Sequence, residues 1–468
     1  MRQPAVSPPV VSLTMIVKNE AANLGDCLAC VVDLVDEIIV IDTGSTDQTQ
    51  AISECMGAKV FDFPWIDDFA AARNQALRHA TGKWIFWLDA DDRIDASNRA
   101  RLGKLFASLR DETIAYHMGC LSSDPGGSTL TDHVRLFRND PEIRWKHRIH
   151  EQILPAIRAS GGVSKSTDVV IHHTGYQDPV THRAKLQRNL KLLELENSAH
   201  PGEAAVLYHL GGNYTAVGRP LDAIRVLKEG LDRSRDGDPF VRNFYGQLAR
   251  AHHQAGQRAE AIEVCRQGMY LFPDDAELLF VQSALLTESG DLASAEKQLL
   301  KLVDPKARFV SSDTGLTSYK SRQNLAMLYR KQNRLAEAET QLRLVLRDHP
   351  QYSLARLALA DVCLAQNKPA EVQSLLQPIS GDPTVSVDVA LLVARAHLAG
   401  SDLDASRAVL ETASARSPGN LRLLTLLTQV LLQQGSDAPA AEAALRDILR
   451  IDPNHAGAKR TLVAMGLQ

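Results

Sequence analysis

Asp89-Ala90-Asp91-Asp92 places three carboxylates within four residues, directly after the apolar run Trp84–Leu88. Carboxylates crowded at one strand end repel one another, so folding alone gives no reason to gather them there. A divalent cation removes the conflict. Mg²⁺ and Mn²⁺ prefer oxygen ligands and are often held by one or two carboxylates plus substrate phosphates. Asp89 and Asp91 are therefore candidate metal ligands. Asp-x-Asp recurs at Asp236/Asp238 and Asp402/Asp404, but no strand-like run precedes either, and solvated loops explain both. His173 follows the apolar run Val169–Ile171. It reads as a third metal ligand, a diphosphate contact or a structural histidine.

Other polar clusters follow apolar runs in the same way. Lys18-Asn19-Glu20 comes after Ser12–Val17, and Asp42-Thr43-Gly44-Ser45-Thr46-Asp47-Gln48-Thr49 closes Glu37–Asp42. Gly44 permits a tight turn, and Ser45, Thr46 or Asp47 suits the cap of the next helix. By itself this second cluster reads equally as a plain strand-to-helix connection. Arg73-Asn74 falls in the helical stretch before Trp84. Arg135, Arg138, Lys146 and Arg148 are placed to meet phosphates, or to form a solvated basic face. Cys27 and Cys30 form C-x-x-C with no second pair at zinc spacing, and read as small apolar side chains rather than a metal or redox site.

The elements that must position these residues follow from periodicity. Strands are expected at Ser12–Val17, Glu37–Asp42, Ala58–Phe61 and Trp84–Leu88. Helices are expected at Glu20–Leu34, Thr46–Met56 and Phe69–Ala80. Such alternation predicts βαβ units and a mostly parallel sheet. Ligands of such sheets bind beyond the carboxyl ends of the strands, where the polar clusters fall.

From about Gly202 the pattern becomes helix after helix. Small residues recur at Ala223, Ala261, Ala295, Ala338, Val372, Ser406 and Ala441, at intervals of 38, 34, 43, 34, 34 and 35. A period near 34 is that of tetratricopeptide repeats. The two longer intervals predict loop insertions around 232–240 and 304–318. Pro273, Pro350, Pro418 and Pro453 stop helices at unit ends. Thr181–Glu196 reads as an amphipathic helix with Leu186, Leu190 and Leu193 on one face, joining the halves and capping the first repeat.

Four stretches, SLTMIVKNEAANLGDCL, DEIIVIDTGSTDQT, FAAARNQAL and WIFWLDADD, stand in order between residues 12 and 92. They resemble the family-2 glycosyltransferases of the GT-A fold, and the later segment resembles the tetratricopeptide family over about 203–468. The resemblance implies an α/β N-terminal domain (10–176), a linker helix (177–202) and an all-α superhelix of about seven units (203–468). It implies inverting transfer of a sugar from a nucleoside-diphosphate sugar, with a UDP-sugar the expected donor and Mn²⁺ or Mg²⁺ the cofactor. Glu20, Asp42, Ser45, Arg73 and Asp89 would then bind the nucleotide-sugar, and Asp91 would ligate the metal. The family's Gln-x-x-Arg-Trp is missing. In its place stand Arg135-Leu136-Phe137-Arg138, Trp145-Lys146-His147-Arg148-Ile149-His150-Glu151 and His172-His173-Thr174-Gly175-Tyr176. That pattern is similar to bacterial enzymes acting on peptides or lipopolysaccharide core.

Such a transfer needs a base for the acceptor proton. Glu151 is the first choice, with His150 as orienter or substitute and Asp132 as a third candidate; a surface pair at a helix start is the plain alternative. The acceptor reads as a peptide, a protein or a saccharide, and the repeats as its holder or as a protein-partner surface. With 468 residues, 44% hydrophobic, 23% charged and a net charge of -4, the chain has the composition of a globular protein and no basic stripe for nucleic acid. No run reaches the ~18 apolar residues of a membrane helix. The cytoplasm is the expected compartment, with peripheral attachment to the inner membrane left open. The rival readings are another nucleotide enzyme on a similar sheet, and a repeat adaptor with an inactive transferase domain.

Overall fold

The computed structural model describes residues 10–124, 127–175, 179–234, 240–311 and 313–467. Two compact units divide the chain. One comprises Met1–Leu285 with Arg308–Gly315, the other Leu286–Ala307 with Leu316–Gln468.

The first unit opens with an eight-stranded sheet. Its strands are β1 Val11–Val17, β2 Glu37–Asp42, β3 Lys59–Asp62, β4 Trp84–Trp87, β5 Asp92–Arg93, β6 Ile114–Asp124, β7 Gly127–Arg138 and β8 Val163–His173, in the order β3-β2-β1-β4-β7-β6-β8-β5. The β3-β2-β1-β4 half is parallel, as expected from the alternation of runs. Every residue of β2 is buried, which is what an unbroken β-branched run demands of a sheet covered on both faces. The other half mixes directions: β7 is antiparallel to β4 and β6, β8 is parallel to β6, and β5 is antiparallel to β8.

Helices α1 Leu24–Ala29, α2 Thr49–Cys55, α3 Phe69–His79, α4 Ala96–Ser108 and α5 Leu154–Ala159 connect these strands. Asp68 starts α3 by accepting from the Ala71 N–H, and Asp95 starts α4 through the Asn98 N–H, both as N-caps. Two expected helices are shorter than the sequence suggests. The stretch Glu20–Leu34 is helical only over α1, because its start is tied to the loop after β2. The Glu20 N–H donates to Thr49 Oγ1 (2.8 Å) and the Ala21 N–H to Asp47 Oδ2 (3.1 Å). Asp47 also accepts from the Thr49 N–H, which delays α2 to Thr49 instead of Thr46.

Beyond the sheet the first unit continues as α6 Pro179–Ala199, α7 Ala204–Ala216, α8 Pro220–Arg233, α9 Val241–Gln254, α10 Arg258–Leu271 and most of α11 Ala276–Ser289. Leu190 and Leu193 of α6, joined by Leu192, share one core with Leu207, Leu210, Ala223, Leu227 and Phe244, whereas Leu186, expected on the same face, is only half-buried and lines the cleft instead. The other unit holds α12 Leu292–Leu302, α13 Tyr319–Lys331, α14 Leu335–Asp348, α15 Ser353–Ala365, α16 Pro369–Leu376, α17 Ser386–Ala399, α18 Leu403–Arg416, α19 Leu421–Gln434, α20 Ala438–Ile451 and α21 Ala456–Ala464. All seven recurring small residues are at most 1% exposed, so each lies where two helices cross closely. Part of the first expected insertion, and with it Asp236/Asp238, lies outside the described residues, as does Tyr176. The second insertion returns at Val310 to make a single bridge with Asp275.

Candidate functional site

The carboxyl ends of β1 and β4 open into a cleft of about 810 Å³. Glu20, Arg73, Asp89, Asp91, His150, Glu151 and His173 all line it, so the structure brings most of the sequence-derived candidates to one place. Asp42 and Ser45 are not in its wall; Thr43 represents their loop. Asp42 Oδ1 accepts from the N–H groups of Gly44 and Ser45 (2.7 Å each), while its Oδ2 is buried without a hydrogen-bond partner. Ser45 Oγ accepts from the Asn19 N–H (2.9 Å), and Asn19 Oδ1 accepts from the Thr46 N–H (2.8 Å). The two loops after β1 and β2 therefore support each other.

The acidic cluster sits where β4 turns into β5. Pairing of β5 with β8 sets Asp92 opposite His173, which joins residues 81 positions apart. His173 Nδ1 lies 3.0 Å from Asp92 Oδ1 and 3.4 Å from Asp91 Oδ1. Asp89, Asp92 and His173 offer ligand atoms all within 4.8 Å of one another. Asp92 is fully committed, because its Oδ2 also accepts from Arg135 Nη1 (2.9 Å) and the Asp89 N–H (2.9 Å). Asp91 is different. Burial raises its carboxyl, His173 pulls it down, and Asp89, Asp92 and Glu20 add to the rise, which together hold it at about 6. For His173, burial opposes the imidazolium, but Asp92, Asp91 and Asp89 outweigh it and raise its pKa. Two oxygens and an imidazole suit a divalent cation of the Mn²⁺ type, and a cation would offset the carboxylate repulsion that adds to burial in raising Asp91. Gly175 closes over this corner: a Cβ there would lie 2.0 Å from Asp91 Oδ2.

Arg73, on α3, ties the two sides of the cleft together. Its Nη2 donates to Asp89 Oδ1 (3.0 Å) and its Nε to Glu151 Oε1 (2.7 Å). The guanidinium lies 4.3 Å from the Trp87 ring centroid, and Arg135 lies 3.8 Å from the same ring, a cation–π pair on one indole. Asp89 keeps about a third of its side chain open to the cleft (32%). Burial opposes its charge, yet Arg73 and Arg135 hold its carboxyl at about 2. His150 stacks on His209 of α7 at 3.8 Å between ring centroids. It is ringed by protein yet open to solvent through the cleft, and burial lowers its imidazole pKa.

Three expected phosphate contacts lie elsewhere. Arg138 pairs with Asp140 (2.8 Å) and the Ser160 carbonyl, Arg148 reaches the Asp67 carbonyl and Glu196, and Lys146 is exposed beside its bridge to Gln152. None lines the cleft, because β7 and the loop after it turn them outward. Arg135 does line it, but as the buried partner of Asp92. Asp132 lines it and is exposed. Lys185 and Arg188 of α6, His133 of β7 and His209 of α7 also form the wall. The sequence pattern of α6 revealed its leucine face and not these polar positions. Cys27 is buried, and its Sγ donates to the Asp89 carbonyl (3.3 Å).

The family described as Glycosyl transferase family 2 matches residues 12–160, and tetratricopeptide repeat families match 243–275, 324–371 and 391–456. A TPR repeat-containing protein of Synechococcus elongatus is 39% identical over 247 residues, 50% of this chain and 59% of its own. The SPbeta prophage-derived glycosyltransferase SunS of Bacillus subtilis is 27% identical over 233 residues, 48% of this chain and 54% of its own. An uncharacterized glycosyltransferase of Rickettsia felis is 36% identical over 112 residues, 24% of this chain and 39% of its own. The chain thus spans little more than half the length of the first two relatives. Three of the four motifs run off strand ends and the remaining one forms α3, and over the same stretch residues 12–160 carry a glycosyltransferase family 2 domain, followed in the chain by tetratricopeptide repeats.

Proposed function

We propose that the chain transfers a sugar from a nucleoside-diphosphate sugar, a UDP-sugar, to an acceptor with inversion at the anomeric carbon. The observation that carries this reading is the meeting of the Asp89–Asp92/His173 cluster with the Arg73–Glu151 pair across one cleft. Asp91 and His173 would hold a divalent cation together with Asp89, while Asp92 orients the His173 ring. A bound cation would supply charge for the departing diphosphate. Glu20, in the cleft wall, is assigned to the nucleoside, and Asp42 to the support of the loop that presents Thr43 there.

Glu151 is assigned the acceptor proton. It is 13% exposed, and Arg73 holds one of its oxygens, leaving the carboxylate aimed rather than free to rotate. His150, stacked on His209 beside it, orients the acceptor or substitutes for Glu151. The repeats are assigned to an acceptor or a protein partner, with the peptide-acting and saccharide-acting alternatives both carried forward.

The test is hydrolysis of a panel of nucleotide sugars with Mn²⁺, with Mg²⁺ and with EDTA. Wild type is expected to release UDP from one donor in a metal-dependent way, and Asp91→Ala to lose this. If wild type neither turns over a donor nor binds UDP with Mn²⁺, the enzyme reading is wrong and an inactive adaptor remains.

A further inference from the structure

The loop that carries His150 and Glu151 leaves one hydrophobic core and enters another. Trp145 is buried with Trp87 and Phe137 of the sheet. Ile149, four residues on, is buried with Leu190, Leu193 and Leu207 of α6 and α7. Between and after them, His147 and His150 take φ values of 71° and 53°. Such values are adopted by L residues only where the surroundings hold them.

The hold at the first of these turns comes chiefly from α6, with Glu203 at the start of α7 lying 3.4 Å from His147 Nε2. Glu196 is 2% exposed and does not line the cleft. Its Oε1 lies 3.0 Å from His147 Nδ1 and 3.1 Å from His200 Nδ1, and its Oε2 accepts from the Arg148 N–H (3.1 Å). A carboxylate only accepts, so both imidazoles present N–H to it. Burial opposes its charge, but His147, the Arg148 N–H and His200 outweigh this and hold its carboxyl below the usual range. The Arg148 carbonyl in turn accepts from the Phe69 N–H (2.9 Å) at the start of α3, the helix that carries Arg73. One buried carboxylate thus ties down the turn three to four residues before Glu151.

We propose that Glu196 is a positioning residue for the transfer step, holding the 147–148 turn so that His150 and Glu151 face the donor. This rests on the transferase reading above. Glu196 does not line the cleft and acts through the loop, so its loss changes the rate of the chemical step and not the binding of the donor.

The test compares wild type, Glu196→Ala, Glu196→Gln and His200→Ala in metal-dependent donor hydrolysis, with hydrogen exchange of segment 145–151 on the same samples. Glu196→Ala is expected to lower kcat at least about tenfold with KM for the donor within about twofold, the pattern of a displaced catalytic group. Exchange should quicken at 145–151 and not across the sheet. Glu196→Gln should recover most of kcat, since its amide oxygen still accepts from Arg148 and the imidazoles can change tautomer. His200→Ala should act as wild type, because that ring is largely exposed (62%). If Glu196→Ala does not fold, Glu196→Asp, which withdraws the charge by one methylene, should show the same kcat-only loss. A wild-type kcat in Glu196→Ala, or in Glu196→Asp where that variant stands in for it, overturns the proposal, and so does a joint fall of kcat, donor affinity and sheet protection, which marks a merely structural residue. If wild type turns over no donor, the transferase reading itself is at fault and the role of Glu196 falls with it.

Discussion

At the scale of single residues, the site is organised by guanidinium groups rather than by the carboxylates that announce it. Arg73 reaches Asp89 and Glu151 with separate nitrogens, a geometry that a point charge cannot reproduce. Arg73→Lys should therefore lower donor turnover about 100-fold while the far-ultraviolet dichroism is unchanged; turnover near wild type would show that the fork is dispensable. Glu37 gives a prediction for stability. Burial opposes its charge, but Lys59, Ser12 and Thr81 hold its carboxyl at about 2 against an ordinary 4.5. A depressed pKa means stabilisation that is complete above pH 4.5 and lost as pH falls toward 2. Lys59 is exposed, which trims the share due to that pair. Glu37→Gln should cost on the order of 2 kcal/mol at pH 7, and in denaturant melts the gap from wild type should narrow below pH 4.5 and close only toward pH 2. The acidic residues were legible in the sequence because crowded carboxylates after a strand have few purely structural reasons to exist. The Asp92–Arg135 pair was not, since 43 residues separate the partners and only the β5–β8 and β4–β7 pairings bring them together. Glu196 and His209 were hidden for the same reason: nothing in a helical repeat pattern marks which polar position meets a loop of the preceding domain.

At the scale of elements, the strands made of β-branched runs and the repeats spaced by small residues were readable, because in both the buried face dictates residue type. Helix starts were less so, since side chains of the neighbouring loop compete for the first N–H groups of α1 and α2. The β6–β7 hairpin escaped because one of its faces lines the cleft with His117, Ser122, Thr131 and His133, which breaks the apolar alternation that marks a strand. The segment after β8 is set by Gly175. An added Cβ would meet Asp91 Oδ2 at 2.0 Å and Asp91 Cγ at 3.0 Å, so Gly175→Ala must displace the carboxylate or the chain. UDP with Mn²⁺ should then raise the melting temperature of wild type but not of Gly175→Ala, by linkage. An equal rise in both would show that Asp91 tolerates the displacement.

At the scale of the molecule, the transferase domain and its first helical repeats form one compact unit, and Ile149 lies in the repeat core. A chain ending at residue 202 would expose that core and free the loop before Glu151. It should aggregate or lose donor hydrolysis, whereas a chain ending at residue 315, which keeps all of the first unit, should retain it; donor turnover and light scattering of both would check this. Tryptophan placement has a consequence of another kind. The chain has four tryptophans, and Trp65, Trp87 and Trp145 stand in the cleft wall. The intrinsic fluorescence of this protein is therefore mostly the fluorescence of its cleft. Paramagnetic Mn²⁺ arriving beside Asp91 should quench it where Mg²⁺ does not, and a nucleotide base should shift it, so the protein carries its own optical reporter for occupancy.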